Sequence, residues 1–304
     1  MTDFVHLHNH SEYSLLDGLS LVAPMVKKAK DFGMKAIAIT DHGNMYGAIK
    51  FYKECLEQGI KPIIGCEIYV AKRNLHNKEA GVDKDYNHLI LLAKNMQGYK
   101  NLMKIVTISH LEGYYYKPRT DLDLLKKYSE GIICLTACVN GYVGEPIVEK
   151  NEKLAKERLQ KLVDIYGKDN LFLELQRHID VPPQEPLNQK LIELSKEFGI
   201  ELVATNDNHY IEKDDAEAQE ILLCIGTQTT ILDENRKLSM IKSPDFYIKS
   251  EEEMKETFKD VPKAILNSGK IADMCELELT LGKWIMLEYE VPKGKTQADY
   301  FNEL

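Results

Sequence analysis

Along the chain, short apolar runs alternate with stretches whose apolar residues recur at helical spacing. KAIAIT at 35–40, PIIGCEIYVA at 62–71, HLILLA at 88–93, the run at 131–136, LFLELQ at 171–176 and ELVAT at 201–205 suit buried strands. Near residue 4 a further strand alternates Val5 and Leu7 with His6 and His8. Between the runs, Leu21, Met25, Val26 and Ala29 predict a helix that stops at Gly33. Others follow over about 45–58, through Leu102, Ile105, Val106 and Ser109 to His110, and over roughly 150–166 and 184–198. About seven strands separated by helices predict a parallel α/β sheet closed into a barrel, with an open doubly wound sheet as the rival.

The same two-residue period sorts the polar groups. His6 and His8 face one way and can grip one ion, with Asp17 in the following loop able to fold back as an oxygen ligand; chance histidines on a strand are the alternative. In AIAITDHG, Ala36, Ala38, Thr40 and His42 share a face, so His42 points inward and Asp41 supports it. Glu67 sits near a strand's C-terminal end, Cys138 continues the parity of Cys134 and Thr136, and Asp207 with His209 repeats the opening i,i+2 pair. In a parallel barrel the C-terminal strand ends form one rim, and His8, His42, Glu67, Cys138, Asp207 and His209 all fall there. His88 begins its strand, the wrong end for that rim, and is assigned to packing; His76 lies in a polar surface loop. Tyr114–Tyr116 with Lys117 and Arg119 form either a stacking and phosphate-holding loop or a packing cluster.

Composition narrows the field. The 304 residues, 44% hydrophobic and 29% charged, suit a globular chain with no apolar run long enough to span a membrane and no basic-then-apolar leader, so a cytoplasmic location is expected. Six cysteines without a CxxC pair argue against a disulfide framework and a zinc knuckle. The net charge of −9 opposes non-specific attraction to phosphate backbones, so a nucleic-acid contact must be local or cation-mediated. No Walker loop, dinucleotide fingerprint or Ser-His-Asp spacing occurs. After the long connection 229–250, Ser250 with Glu253 and Pro262 begin two helices, and Thr296 with Asp299 begins another where the chain ends, as if cut from something longer.

FVHLHNHSEYSLLDG, AIAITDHGNMYGA, PIIGCEIYVA, LTACVNG, NDNHY and DVPKAILNSGKIADMCELEL together resemble the PHP (polymerase and histidinol phosphatase) family, in the form found in bacterial DNA polymerase III alpha subunits. The resemblance implies a distorted seven-stranded (β/α) TIM-like barrel over residues 1–260 and a helical linker toward a polymerase palm over 261–304. It implies nine metal ligands, His6, His8, Asp17, His42, Glu67, His110, Cys138, Asp207 and His209, with His10 and Asp41 hydrogen bonding around them and His178 unassigned. Five imidazoles, three carboxylates and a thiolate exceed one ion's needs, so two or three ions are expected, zinc or manganese before magnesium, with iron also suited. Asp17, His42 and Asp207 would act catalytically with the ions, and Lys117 and Arg119 would hold substrate. The implied activity is phosphoester hydrolysis, as a 3′–5′ proofreading exonuclease, with the DNA 3′ end, the rest of the polymerase and other replisome subunits as partners. A metal-stabilised scaffold without turnover and a free-standing phosphatase of the histidinol-phosphatase kind are the alternatives.

Overall fold

A computed structural model describes residues 3–233, 236, 238–284 and 290–304; Glu234, Asn235 and Lys237 of the long connection lie outside the described residues. Its strands are β1 (Ala36–Ile39), β2 (Lys61–Ala71), β3 (Tyr86–Ala93), β4 (Tyr114–Tyr115), β5 (Lys117–Thr120), β6 (Ile132–Leu135), β7 (Leu171–Leu175) and β8 (Glu201–Ala204). They form a curled mixed sheet in the order β4-β5-β2-β3-β6-β7-β8, with β1 beside β2. The architecture is the expected distorted α/β barrel. Two strands depart from the all-parallel expectation: β3 runs antiparallel to both β2 and β6, and the short β4 runs antiparallel to β5.

Closure comes from the opening segment, which is extended and buried without forming a regular strand. On one side Ala38 N–H donates to His6 O and Thr40 N–H to Asn9 O; on the other Asn208 N–H donates to His8 O and His10 N–H to Asn208 O. Side-chain amides replace part of the missing ladder. The Asn9 side-chain amide donates to His6 O and Ala38 O, and the Asn208 side-chain amide donates to Asn9 Oδ1.

The alternation in β1 divides two cores. Ile37 and Ile39 pack outward against the helices Val22–Asp31 and Ala48–Gln58, while Ala36 and Ala38 join Val5, Leu7, Ile63, Leu92, Ile133 and Val203 inside the barrel. The helix Pro262–Met274 belongs to this inner core rather than to a linker. Ile271, Ala272 and the following Cys275 pack there, Ser268 Oγ accepts from Val5 N–H at 3.0 Å, and Asn267 donates to Leu202 O at 2.7 Å. A boundary at 260/261 therefore cuts through the packed body.

Candidate metal centre

At one rim of the barrel, side chains from distant segments converge. Among the described residues three groups have donor atoms within 4.8 Å of one another: His10, His42 and His209; His8, His10 and Asp207; and Glu67, His88 and Cys138. Asp17 joins the first, its carboxylate oxygens 2.9 Å from His42 Nε2 and 3.9 Å from His209 Nε2. Glu67 links the groups, with Oε2 2.6 Å from His42 Nδ1 and Oε1 2.7 Å from His88 Nδ1. His8 Nε2 and His10 Nε2 lie 3.1 Å apart, and each is 3.1 Å from Asp207 Oδ1.

The backbone is bent to deliver these groups. Leu16, Ala137 and Asp207 take φ of 62°, 60° and 49°, each at or beside a donor. Such left-handed positions cost about 1–3 kcal/mol apiece outside glycine and persist where the surroundings enforce them. Gly18 lets the loop carrying Asp17 fold back, since a Cβ there would meet Ser11 O at 2.2 Å.

The rings are oriented from behind. His8 Nδ1 donates to Glu174 Oε1 at 2.7 Å, His209 Nδ1 to Asp207 O at 2.7 Å, and His10 Nδ1 to Ser14 Oγ at 3.0 Å. Ser14 Oγ in turn donates to Asp41, which also accepts from the Ser11 amide and hydroxyl. With the outer nitrogen protonated, each ring presents an Nε2 lone pair to the cluster, the arrangement in which imidazoles bind metal. Asp17 Oδ1, Glu67 Oε2 and both nitrogens of His42 are buried with no aligned hydrogen-bond partner, although they crowd one another. Such atoms aim at a shared point rather than at each other. The donor set of imidazoles, carboxylates and a thiol fits zinc or manganese.

A family model described as PHP domain matches residues 6–178. This chain belongs to the PHP domain family. It is 47% identical to DNA polymerase III subunit alpha of Borreliella burgdorferi over 99% of this chain and 26% of the relative. The Treponema pallidum subunit of that name is 42% identical over 98% of the chain and 25% of the relative. The PHP chain thus spans about a quarter of the length of these curated relatives. A solved histidinol phosphate phosphatase of Lactococcus lactis, complexed with zinc, L-histidinol and phosphate, aligns at TM-score 0.37 and 15% identity over 68% of this chain and 86% of its own.

Within this PHP domain the structure brings together His8, Asp17, His42, Glu67, Cys138, Asp207 and His209, and departs from the expectations for His6, His10, His88, His110 and Arg119. His6 stands apart: its Nε2 donates to Lys249 O at 2.8 Å and its Nδ1 accepts from Asn208 at 2.9 Å, leaving no lone pair for a metal. His10 takes the second place of the opening pair. His110 Nε2 donates to Gly43 O at 2.8 Å and props the turn after His42, while His88 occupies the rim. Because β3 is antiparallel, its beginning lies beside the end of β2, with His88 paired to Tyr69, two residues beyond Glu67. Arg119 is fully buried, donating to the carbonyls of Gly113, Leu75, Asn77 and Asp83, and is structural. Lys117 does border the site. With Lys84 and Tyr116 it lines an open cleft of about 740 Å³ that reaches Asp17, His42 and His88.

Sequence reasoning missed Glu174. It shares the inward parity of Phe172 in an apolar strand, and a buried carboxylate needs partners: Ala137 N–H, Gln176, Thr205 and His8 supply them. A carboxylate at an inward strand position was the available signal.

Without metal, protons balance the carboxylates. Burial disfavours a charged His42, but Glu67 and Asp17 outweigh it and push its pKa up to about 10; His8 is raised against the same burial by Asp207 and Glu174. Glu67 and Asp207 are held well below the usual carboxylate range by facing histidines, against the opposing effect of burial. His42 therefore stabilises the metal-free fold fully below its unfolded value of about 6.5 and loses that contribution as pH rises to about 10. Metal uptake runs the opposite way, because the ions need neutral rings. Titration with zinc at pH 7 is expected to release about three protons, from His8, His42 and the Cys138 thiol, whose pKa burial pushes up, and the apparent affinity to rise with pH. Matched calorimetry in two buffers of different ionisation enthalpy checks this, and uptake with no proton release contradicts it.

Proposed function

We propose that this PHP domain is a metal-dependent phosphoesterase within a replicative DNA polymerase alpha subunit, removing nucleotides from a DNA 3′ end. The observation that carries this reading is the convergence of five imidazoles, three carboxylates and a thiol at one rim, beside a cleft that Lys84 and Lys117 border. His8, His10 and Asp207 would hold one ion, His42 and His209 with Asp17 a second, and Glu67, His88 and Cys138 a third. Bound ions supply positive charge for a phosphodiester and an acidified water.

The protein's own groups do the rest. Asp17 and His42, with side chains 26% and 15% exposed, face the cleft and meet an entering phosphate first. Asp17 Oδ1, buried and unpartnered, is the acceptor available to orient the attacking water. Asp207 keeps His8 and His10 in place. Lys84 and Lys117 offset neighbouring phosphates locally, as a chain of net charge −9 requires.

Protein loaded with manganese or zinc should shorten a 5′-labelled primer bearing a mispaired 3′ end one nucleotide at a time. Loading confirmed by elemental analysis, with no shortening of the primer, sinks the nuclease reading. The second reading is a metal-stabilised scaffold for the rest of the polymerase. It is supported by donors spread from His8 to His209, which ions would staple together.

A further inference from the structure

A second cavity, of about 400 Å³, adjoins the cleft through Asn140 and shares Cys138 and Asp207 with the donor cluster. Its wall continues through Gln176, His178, Gln184, Met240 and Phe246. Phe246 joins the two regions: its ring meets His209 edge-on at 5.8 Å and stacks on His178 at 3.8 Å, while its carbonyl accepts from His209 N–H.

The wall at Met240 is fixed although it lies in a long connection. The buried Glu220 carboxylate accepts from the Met240 and Ile241 amides and the Ser239 hydroxyl, so the space is preformed.

The cavity holds polar groups that the protein leaves unused. Both ring nitrogens of His178 are buried without a hydrogen-bond partner, the nearest charge being Asp245 Oδ1 at 3.5 Å. Gln184 lines the cavity with a side-chain amide that makes no hydrogen bond among the described residues, while its backbone N–H donates to Val181 O. A buried imidazole left unpaired, as at His178, is costly, and the open Gln184 amide beside it is free to meet a ligand or ordered water. Asp180 and Asp207 on the wall are matched by Arg236 and Lys242, so its charge is balanced and does not by itself select an anion. Aromatic faces beside unpaired amide and imidazole groups suit a planar heteroaromatic ligand with a hydrogen-bonding edge.

We propose that this cavity is a nucleobase subsite, taking the terminal base of a strand whose phosphate lies at the donor cluster. It rests on the phosphoesterase reading above and adds the recognition element to it. Calorimetry on zinc-loaded protein compares deoxyadenosine 5′-monophosphate with 2-deoxyribose 5-phosphate, which lacks the base. The nucleotide is expected to bind at least about tenfold tighter. Gln184→Leu and His178→Phe should each bring that ratio toward one with the zinc content unchanged. A wild-type ratio of one, with the sugar phosphate bound, overturns the subsite and leaves the phosphate reading standing. A ratio undiminished in both variants also overturns it. Failure of both ligands to bind zinc-loaded protein overturns the two readings together.

Discussion

His88→Ala is expected to strip metal from the rim and lower phosphodiester hydrolysis by at least about 100-fold, because even partners outside the coordination sphere cost 10–100-fold in affinity or activity when removed. His110→Ala should leave both within about threefold, since it deletes one hydrogen bond to Gly43 O worth about 1 kcal/mol. The contrast separates two histidines that share only their rarity. His88 Nδ1 lies 2.7 Å from Glu67 Oε1 and 3.8 Å from Cys138 Sγ, whereas His110 spends its Nε2 proton on backbone. Elemental analysis and turnover on both variants decide it. A His88→Ala protein with full metal content would remove that residue, and the third donor group with it, from the centre.

Chelation is expected to lower the melting temperature by on the order of 10 °C at neutral pH. Each ion present at about 100 times its dissociation constant stabilises the fold by about 2.7 kcal/mol, and three ions together by about 8 kcal/mol. For a chain of this size each kcal/mol moves the midpoint by about 1.5 °C. The shift should be larger at pH 8 than at pH 6. In the metal-free fold His42 is protonated at both pH values, but its stabilising contribution is full near pH 6 and already reduced at pH 8, while proton competition with metal weakens over the same interval. Scanning calorimetry with and without chelator measures the difference, and an unchanged midpoint after confirmed metal removal contradicts it.

Much of this was legible in the sequence because a strand's two-residue period is local. His42, Glu67, Cys138, Asp207 and His209 were placed at strand ends by parity alone, and the structure puts each at the rim. Parity could not choose within HLHNH, where His6, His8 and His10 share one face; the choice was made by Lys249 and Asn208, which engage both nitrogens of His6 from far along the chain. Strand direction was equally invisible. A run such as HLILLA looks the same read either way, and the assumption of a parallel sheet sent His88 to the wrong end of the barrel. Arg119 looked like a phosphate holder beside three tyrosines, but four backbone carbonyls surround its guanidinium. Such enclosure depends on how the loop at 74–83 folds over β5, which no local pattern specifies.

The seam closed by residues 4–10 has a consequence for biosynthesis. As the chain is made, residues 4–10 acquire one neighbour at Ala38 and Thr40 early, but their other flank waits for Asn208, and the Asp3, Phe4 and Val5 amides wait for Glu251 and Ser268. At about 5–20 residues per second, translation leaves that flank open for roughly 10–40 s after His10 is made. The most histidine-rich stretch of these residues thus waits for partners far along the chain. Nascent chains that stop before Asn208 should remain protease-sensitive at residues 4–10.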